Sequence, residues 1–166
     1  MNKVPARVCT RFDSPLGEIL LAATDRGLCG VWFTGQRHGP DSSGWREDAA
    51  HPVLVEAAAQ LRAYFAGART AFDLPLDLQH GTAFQQSVWQ ALLAIPTGGT
   101  TSYAELGRRL GRPQAARAVG AAVGRNPISI VVPCHRVLGT GGSLTGYAGG
   151  LERKTALLRL EGALAH

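Results

Sequence analysis

The sequence predicts an α+β protein: a small α/β N-terminal domain over residues 1–80, with an antiparallel sheet and a helix, then a mostly helical domain over residues 81–166 that carries a helix-turn-helix. Three observations predict it. Apolar residues near the start recur in short β-prone runs separated by turn residues, and from His51 onward the spacing changes to a helical period. The charge is also divided unevenly. Residues 1–99 carry 8 Lys+Arg against 9 Asp+Glu, whereas residues 100–166 carry 9 against 3, so the net +5 comes from the second part. A basic half suits a polyanionic partner such as nucleic acid, with a merely soluble basic surface as the competing explanation.

The elements follow in order. "ARVCTRF" and "GEILLAAT" read as strands joined at Asp13-Ser14-Pro15-Leu16-Gly17, where Pro and Gly suit a tight turn, and Asp25-Arg26-Gly27 leads into a third strand around "LCGVWF". The polar stretch "TGQRHGPDSSGWREDAA" reads as a surface loop. Val53, Leu54, Ala57, Leu61, Tyr64 and Phe65 then share one helical face, with Pro52 in the first turn and Gly67 past the end. "ARTAFDLPLDLQHG" has no helical period and reads as the connection between two lobes.

Thr82-Ala83-Phe84-Gln85 is a capping box opening a helix whose buried stripe is Phe84, Val88, Leu92 and Ile95, stopped by Pro96. Ser102-Tyr103-Ala104-Glu105 is a second capping box and starts a short helix to Leu110. Gly111-Arg112-Pro113 breaks it, and another helix runs from about Gln114 to Gly124. Two short helices around a glycine-containing turn match the helix-turn-helix pattern, which any helical hairpin can imitate. The second helix narrows the choice. Ala115, Ala116, Ala118, Gly120, Ala121 and Ala122 leave its surface nearly bare, with Arg117 projecting among them. A bare surface presses closely on a partner helix or into a narrow DNA groove, and a lone arginine there is a poor core element because burying its charge unpaired is costly.

Some classes are excluded. No apolar run reaches the roughly 18 residues of a membrane span, and "MNKVPARVCT" has no apolar core of a signal peptide, so a cytoplasmic protein is expected. Cys9, Cys29 and Cys134 are odd in number and far apart, which fits free thiols in a reducing compartment. His38, His51, His80, His135 and His166 are scattered without zinc spacing, so no metal site is expected. No G-x-x-x-x-G-K-[ST] is present, which argues against a nucleotide triphosphate site, and no cofactor is called for. A monomer is the default.

"ISIVVP" reads as a short buried strand with Cys134 at its end. A free cysteine usually packs as a small apolar group. Against that stand His135 and Arg136, because imidazole or cationic neighbours favour the thiolate that acts as a nucleophile. Neighbours in an extended segment point to opposite sides, so His135 would act through a turn or a bridging water. Glu161 sits in the last turn of a helix over Leu151 to Glu161, where the helix dipole disfavours an acid, and His135 is one partner that would keep it there. Gly139, Gly141, Gly142, Gly146, Gly149 and Gly150, with Tyr147 among them, bare backbone amides that suit the wall of a pocket for a planar ligand.

"PCHRV" at Pro133 to Val137, preceded by "GRNPISIVV" and followed by "TGYAGGLERKTALLRLEG", resembles the O6-alkylguanine-DNA alkyltransferases, from about Phe84 to Gly162. "DSPLG" also fits that family's variable first domain. The resemblance implies that Cys134 is the alkyl acceptor, His135 the base working through water, and Glu161 the acid that orients it. It makes Asn126 the tie between the helix-turn-helix and the active-site turn. Tyr103 would crowd the target's phosphate and hydrogen-bond the base at N3, Arg117 would fill the gap in the base stack, and Val137, Tyr147, Ala148 and Gly149 would line the guanine pocket. Many members have serine where Ala148 stands, so a hydroxyl contact is absent here while the backbone N–H remains. Cys9 and Cys29 do not stand where some relatives hold zinc.

The expected activity is direct-reversal repair of double-stranded DNA containing O6-alkylguanine and, more weakly, O4-alkylthymine. A stacked base cannot reach a buried thiol, so the nucleotide would be flipped out from the minor-groove side, at a cost of about a few kcal/mol. The bare helix around Ala116 would enter that groove, with Arg112, Arg125, Arg108 and Arg109 as candidates for phosphate contacts. No group in the chain can reverse a thioether, so each molecule would act once. A thiol hydrolase built on Cys134 and His135, which would turn over, and a non-catalytic helix-turn-helix regulator, which would not need the thiol, are the rival readings.

Overall fold

The first three strands are β1 (Val8–Ser14), β2 (Gly17–Thr24) and β3 (Gly27–Phe33), paired as an antiparallel meander. The computed structural model describes residues 6–164, so His166 lies outside the described residues. The chain divides between Asp77 and Leu78 into two compact units. In the first, the sheet order is β3-β2-β1-β4, where β4 (Arg46–Glu47) pairs in parallel with Val8 and Cys9. The loop expected to be wholly irregular therefore adds an edge strand. Its anchor is Trp45, which packs against the buried cluster of Cys9, Leu20, Ala22, Cys29 and Trp32, so apolar burial outweighs the polar composition around it.

Helix α1 (Pro52–Phe65) packs on this sheet through Leu54, Ala57, Leu61 and Tyr64. Its start is set by Pro52 and by His51, whose Nδ1 accepts from the Val53 N–H at 3.3 Å; past its end, Gly67 takes φ +76°. β2 is buried from Ile19 to Thr24, as a strand covered on both faces must be. The segment after α1 docks along β3: the Leu28 N–H donates to Pro75 O, and the Asp77 N–H donates to Leu28 O. Gly27, at φ +147°, has to be glycine, because a Cβ would lie 2.5 Å from Pro75 O.

The second unit is mainly helical. Its elements are α2 (Ala83–Leu92), β5 (Thr101–Ser102), α3 (Tyr103–Arg109), α4 (Ala116–Gly124), a 3-10 turn at Cys134–Arg136, β6 (Val137–Leu138) and α5 (Leu151–Leu160). Thr82 and Gln85 form the reciprocal cap of α2. The stripe buried on α2 is Val88, Trp89 and Leu92, followed by Ile95, while Phe84 is only half-buried with the Arg112 guanidinium 5.6 Å over its ring. Trp89 donates its indole N–H to Ala122 O at 2.8 Å and so joins α2 to α4.

At α3 only half of the expected box forms. Ser102 accepts from the Glu105 N–H at 3.0 Å, but the Glu105 carboxylate turns to Arg108 and Arg109. The turn closes with the Arg112 N–H on Gly107 O at 2.8 Å, and a Cβ on Gly107 would lie 3.0 Å from Arg112 O. Helix α4 starts two residues later than expected, after Ala115, and α5 ends at Leu160 with Glu161 as its capping residue.

The run "ISIVVP" is not a strand. Residues 128–132 form tight buried turns, with the Val131 N–H on Ser129 O and the Val132 N–H on Ile128 O. Ile130 is held at φ +72°, a left-handed conformation that a β-branched residue avoids. Complete burial of Ile128, Ile130 and Val132 offsets that strain. The strand that does form here is β6, two residues past His135, in parallel register with β5.

Candidate active site and nucleic-acid interface

Asn126 follows α4 and ties it to the turns that carry the thiol. Its Oδ1 accepts from the Ile128 N–H at 3.0 Å and its Nδ2 donates to Val132 O at 2.8 Å, so one buried amide replaces the ladder a strand would have supplied. Cys134 then opens the 3-10 turn, its N–H donating to Val132 O at 2.8 Å. The turn also changes where the next side chains point. His135 does not alternate away as in a strand, and it is fully buried with Nε2 2.8 Å from Glu161 Oε2. Its other nitrogen, Nδ1, is buried and has no hydrogen-bond partner within the protein.

Arg136 does not serve the sulfur as a neighbouring cation. It forks onto Glu161, with Nε donating to Oε1 at 2.8 Å and Nη2 to Oε2 at 2.9 Å, and Nη1 donates to Ile95 O at 2.6 Å. Sequence adjacency suggested a cation favouring the thiolate, and the structure overturns that. Burial pushes the Cys134 thiol up to about 11, with the Asn126 amide and the Lys154 charge only partly offsetting it. The resting group is a thiol, and its proton must be taken. His135 is held below the usual imidazole value, first by burial, against the pull of Glu161 in the other direction. A neutral imidazole with one nitrogen unpartnered is able to accept a proton there.

Lys154 is the residue that sequence reasoning missed. It sits on α5, is fully buried, and its ammonium donates to Val137 O at 2.6 Å, Thr145 O at 2.8 Å and Gly146 O at 3.1 Å. Those carbonyls belong to β6 and to the glycine-rich segment, so one ammonium holds both. Burial pushes Lys154 down to about 8. The only signal in sequence was a lysine on the inward side of an otherwise apolar helix face, next to Leu157 and Leu158.

Around the sulfur stand two phenols. Tyr103 packs its ring near Gly120 of α4, donates to Thr145 O at 3.4 Å, and is raised above the ordinary phenol value by burial and then by the Cys134 charge. Tyr147 is raised further by burial, again with Cys134 as the next cause. Both are neutral O–H groups at physiological pH. Val137 is fully buried, Ala148 half-buried and Gly149 buried. The structure thus gathers Cys134, His135, Glu161, Asn126, Tyr103 and Tyr147 from segments up to 58 residues apart in the sequence. Cys134 itself is 7% exposed.

A separate surface is formed by α3 and α4. Val119, Ala122 and Val123 face inward, leaving Ala116, Arg117, Ala118 and Ala121 exposed. Arg117 and Arg125 are exposed and make no ion pair among the described residues, whereas Arg108 and Arg109 pair with Glu105, and Arg112 is exposed with its guanidinium 5.6 Å over the Phe84 ring. Cys9 and Cys29 are buried in the first unit, where burial raises both thiols. Among the described residues no group of three or more His, Cys, Asp or Glu could hold a metal, and no helix is long and apolar enough to cross a membrane.

Comparison with known proteins agrees over nearly the whole length. Residues 83–163 match the 6-O-methylguanine DNA methyltransferase DNA binding domain, and residues 8–78 match the ribonuclease-like domain of the same proteins. A methylated-DNA–protein-cysteine methyltransferase of Mycobacterium leprae is 51% identical over 153 residues, covering 92% of this chain and 91% of its own. The crystal structure of the Mycobacterium tuberculosis O6-methylguanine methyltransferase superposes with a TM-score of 0.85 at 49% identity, covering 96% of this chain and 95% of that one. A structure of the Mycobacterium tuberculosis OGT in complex with DNA gives 0.84 at 48% identity, covering 95% and 93%. With both domain models matched and half of all residues shared across nine-tenths of the chain, this protein belongs to the 6-O-methylguanine DNA methyltransferase family of alkyl-transfer DNA repair proteins.

Proposed function

We propose that this protein, working as a cytoplasmic monomer, removes the alkyl group from O6-alkylguanine, and more weakly from O4-alkylthymine, in double-stranded DNA by one irreversible transfer to Cys134. The target nucleotide is flipped out of the stack from the minor-groove side. His135 takes the thiol proton on Nδ1 through a bridging water, while Glu161 accepts from Nε2 and orients the ring. The sulfur attacks the alkyl carbon in line, the S–C bond forms as the C–O6 bond breaks, and the electron pair leaves with guanine. Tyr103 hydrogen-bonds N3 and supplies the proton that neutralises the leaving base. Val137, Tyr147, Ala148 and Gly149 line the pocket, the last two offering backbone N–H groups. Asn126 couples the pocket to α4.

Residues 81–166 carry both DNA binding and transfer in this reading. Arg117 enters the stack in place of the flipped base, the alanine face around Ala116 follows the minor groove, and Arg125 and Arg112 meet phosphates. The observation that carries the proposal is the buried imidazole of His135, anchored on Glu161 at one nitrogen and unpartnered at the other, on the residue after the thiol. Incubation with an oligonucleotide bearing O6-methylguanine, followed by peptide mass spectrometry, tests it. One methyl per molecule on Cys134 and a burst of a single equivalent are expected. Methyl on Cys9 or Cys29, or continued turnover, would refute the assignment.

A further inference from the structure

Arg136 is 6% exposed and commits four of its five guanidinium N–H groups: two to the two oxygens of Glu161, one to Ile95 O, and one, at a longer 3.2 Å, to Thr97 Oγ1. The Glu161 side chain is 1% exposed, so nearly all of its hydrogen bonding is met inside the protein. We propose that Arg136 is a positioning residue for alkyl transfer, which grips both oxygens of Glu161 and thereby fixes the proton of neutral His135 on Nε2, leaving Nδ1 as the acceptor for the thiol proton. The inference rests on the base role of His135 proposed above.

The proton logic has three steps. A carboxylate forked by arginine stays ionised and can only accept hydrogen bonds. The 2.8 Å contact between His135 Nε2 and Glu161 Oε2 is therefore an N–H donated by the ring. In a neutral ring that leaves Nδ1 with its lone pair, and Nδ1 is the buried nitrogen without a partner in the protein.

Charge adds a second effect. The groups facing His135 are Glu161 beyond the end of α5, Lys154 on α5 and Arg136 on its own turn. Glu161 alone would draw a second proton onto the ring and block its use as a base. The Arg136 and Lys154 charges oppose that, so the arginine balances the carboxylate it positions. When the thiol proton does arrive on Nδ1, Nε2 keeps its hydrogen toward Glu161 and the imidazolium gains that carboxylate as counter-ion.

The test is the rate at which free O6-benzylguanine alkylates Cys134, followed from about pH 5 to 9 so that DNA binding does not enter. Wild type should lose rate on the acid side as His135 protonates. In Arg136→Met the acid limb should move to higher pH by about one unit. Arg136→Lys, which keeps the charge without the fork, should hold the limb near its wild-type position at a reduced rate. In nitrogen-15 spectra, neutral His135 should be Nε2–H in wild type and a tautomer mixture in Arg136→Met. Should Arg136→Met not fold, Arg136→Met is placed in a Glu161→Gln background, where it should cost no further rate. A wild-type acid limb left in place by Arg136→Met, or a further rate loss in the Glu161→Gln background, overturns the inference alone. A wild-type rate flat across the range removes the base role of His135 and this inference with it.

Discussion

Lys154 carries a cost that only its neighbours explain. An ammonium with no exposure and three carbonyl acceptors is held by charge-assisted hydrogen bonds, and it is also penalised by lost hydration, which is why it titrates near 8 instead of 10.5. Replacing it by methionine removes the penalty and the bonds together, so stability should change by no more than about 2 kcal/mol. Reactivity should respond more. Without the ammonium, the Cys134 thiolate loses a cation that favours it and the segment from Thr145 to Gly146 loses its tie to β6. The rate of Cys134 alkylation by free O6-benzylguanine should fall about tenfold or more in Lys154→Met, as large a loss as a charged hydrogen bond can account for. A wild-type rate in that variant would show that the lysine serves packing only.

At the scale of the element, α4 divides its work between two faces. Val119, Ala122 and Val123 hold it to the rest of its unit, and the opposite face offers methyl groups and Arg117. Arg117→Ala, an exposed substitution, should leave stability within about 0.5 kcal/mol. Under the proposed mechanism, repair of O6-methylguanine in duplex DNA should nonetheless slow by about tenfold or more, because Arg117 would no longer offset the cost of extruding the base. Reaction with the free benzylated base should be nearly unchanged, and equal effects on both would remove the role in the stack. Arg125 makes no ion pair among the described residues, so Arg125→Ala should lower the slope of log affinity against log salt by about 0.9. An unchanged slope would place Arg125 off the phosphates.

The same elements show what was legible and what was not. α1 and α2 were legible to within a residue at their starts, because Pro52 and the Thr82–Gln85 box are local signals. The turns over 128–132 were not, because β-branched burial looks alike in a strand and in a turn held by a distant amide. Asn126 makes the difference through its bond to Val132 O. Arg136 and Lys154 were equally hidden. Their partners lie 25 and 17 residues away along the chain, and no spacing rule links them.

Over the whole molecule, the buried ionisable groups make stability depend on pH in two opposed ways. Lys154 titrates near 8 when folded and near 10.5 when unfolded, so its burial cost is fully present below pH 8 and is relieved as pH rises toward 10.5. Cys134 is the reverse. Its folded value near 11 lies above 9.0, so the native state holds a proton the unfolded chain releases, and that contribution is lost as pH rises from 9 to 11. Between pH 8 and 9 stability should therefore gain from the lysine, and above 9 the thiol should take much of it back. Removing the thiol isolates the second effect. The stability of Cys134→Ser relative to wild type should rise by on the order of 2 kcal/mol between pH 9 and 11, measured as denaturant midpoints. A constant difference across that range would mean that the sulfur is hydrated in the native state.

His135 acts on the acid side. Its folded value lies below the ordinary 6.5, so the unfolded chain binds a proton that the native ring refuses, and stability should fall as pH drops below about 6.5. Replacing His135 with phenylalanine should flatten that decline.

By itself the sequence determined the three-stranded meander, the five helices, the bare face of α4 and the segment that holds the thiol. Each of these is written in near neighbours: period, caps, turn residues and a contiguous motif. The tertiary structure decided the protonation of the site. Whether Cys134 rests as thiol or thiolate, which nitrogen of His135 is free, and what Arg136 and Lys154 do all depend on burial and on charges brought together from distant parts of the chain. Electrostatic energy scales with distance and local dielectric, and neither is defined until the chain has folded.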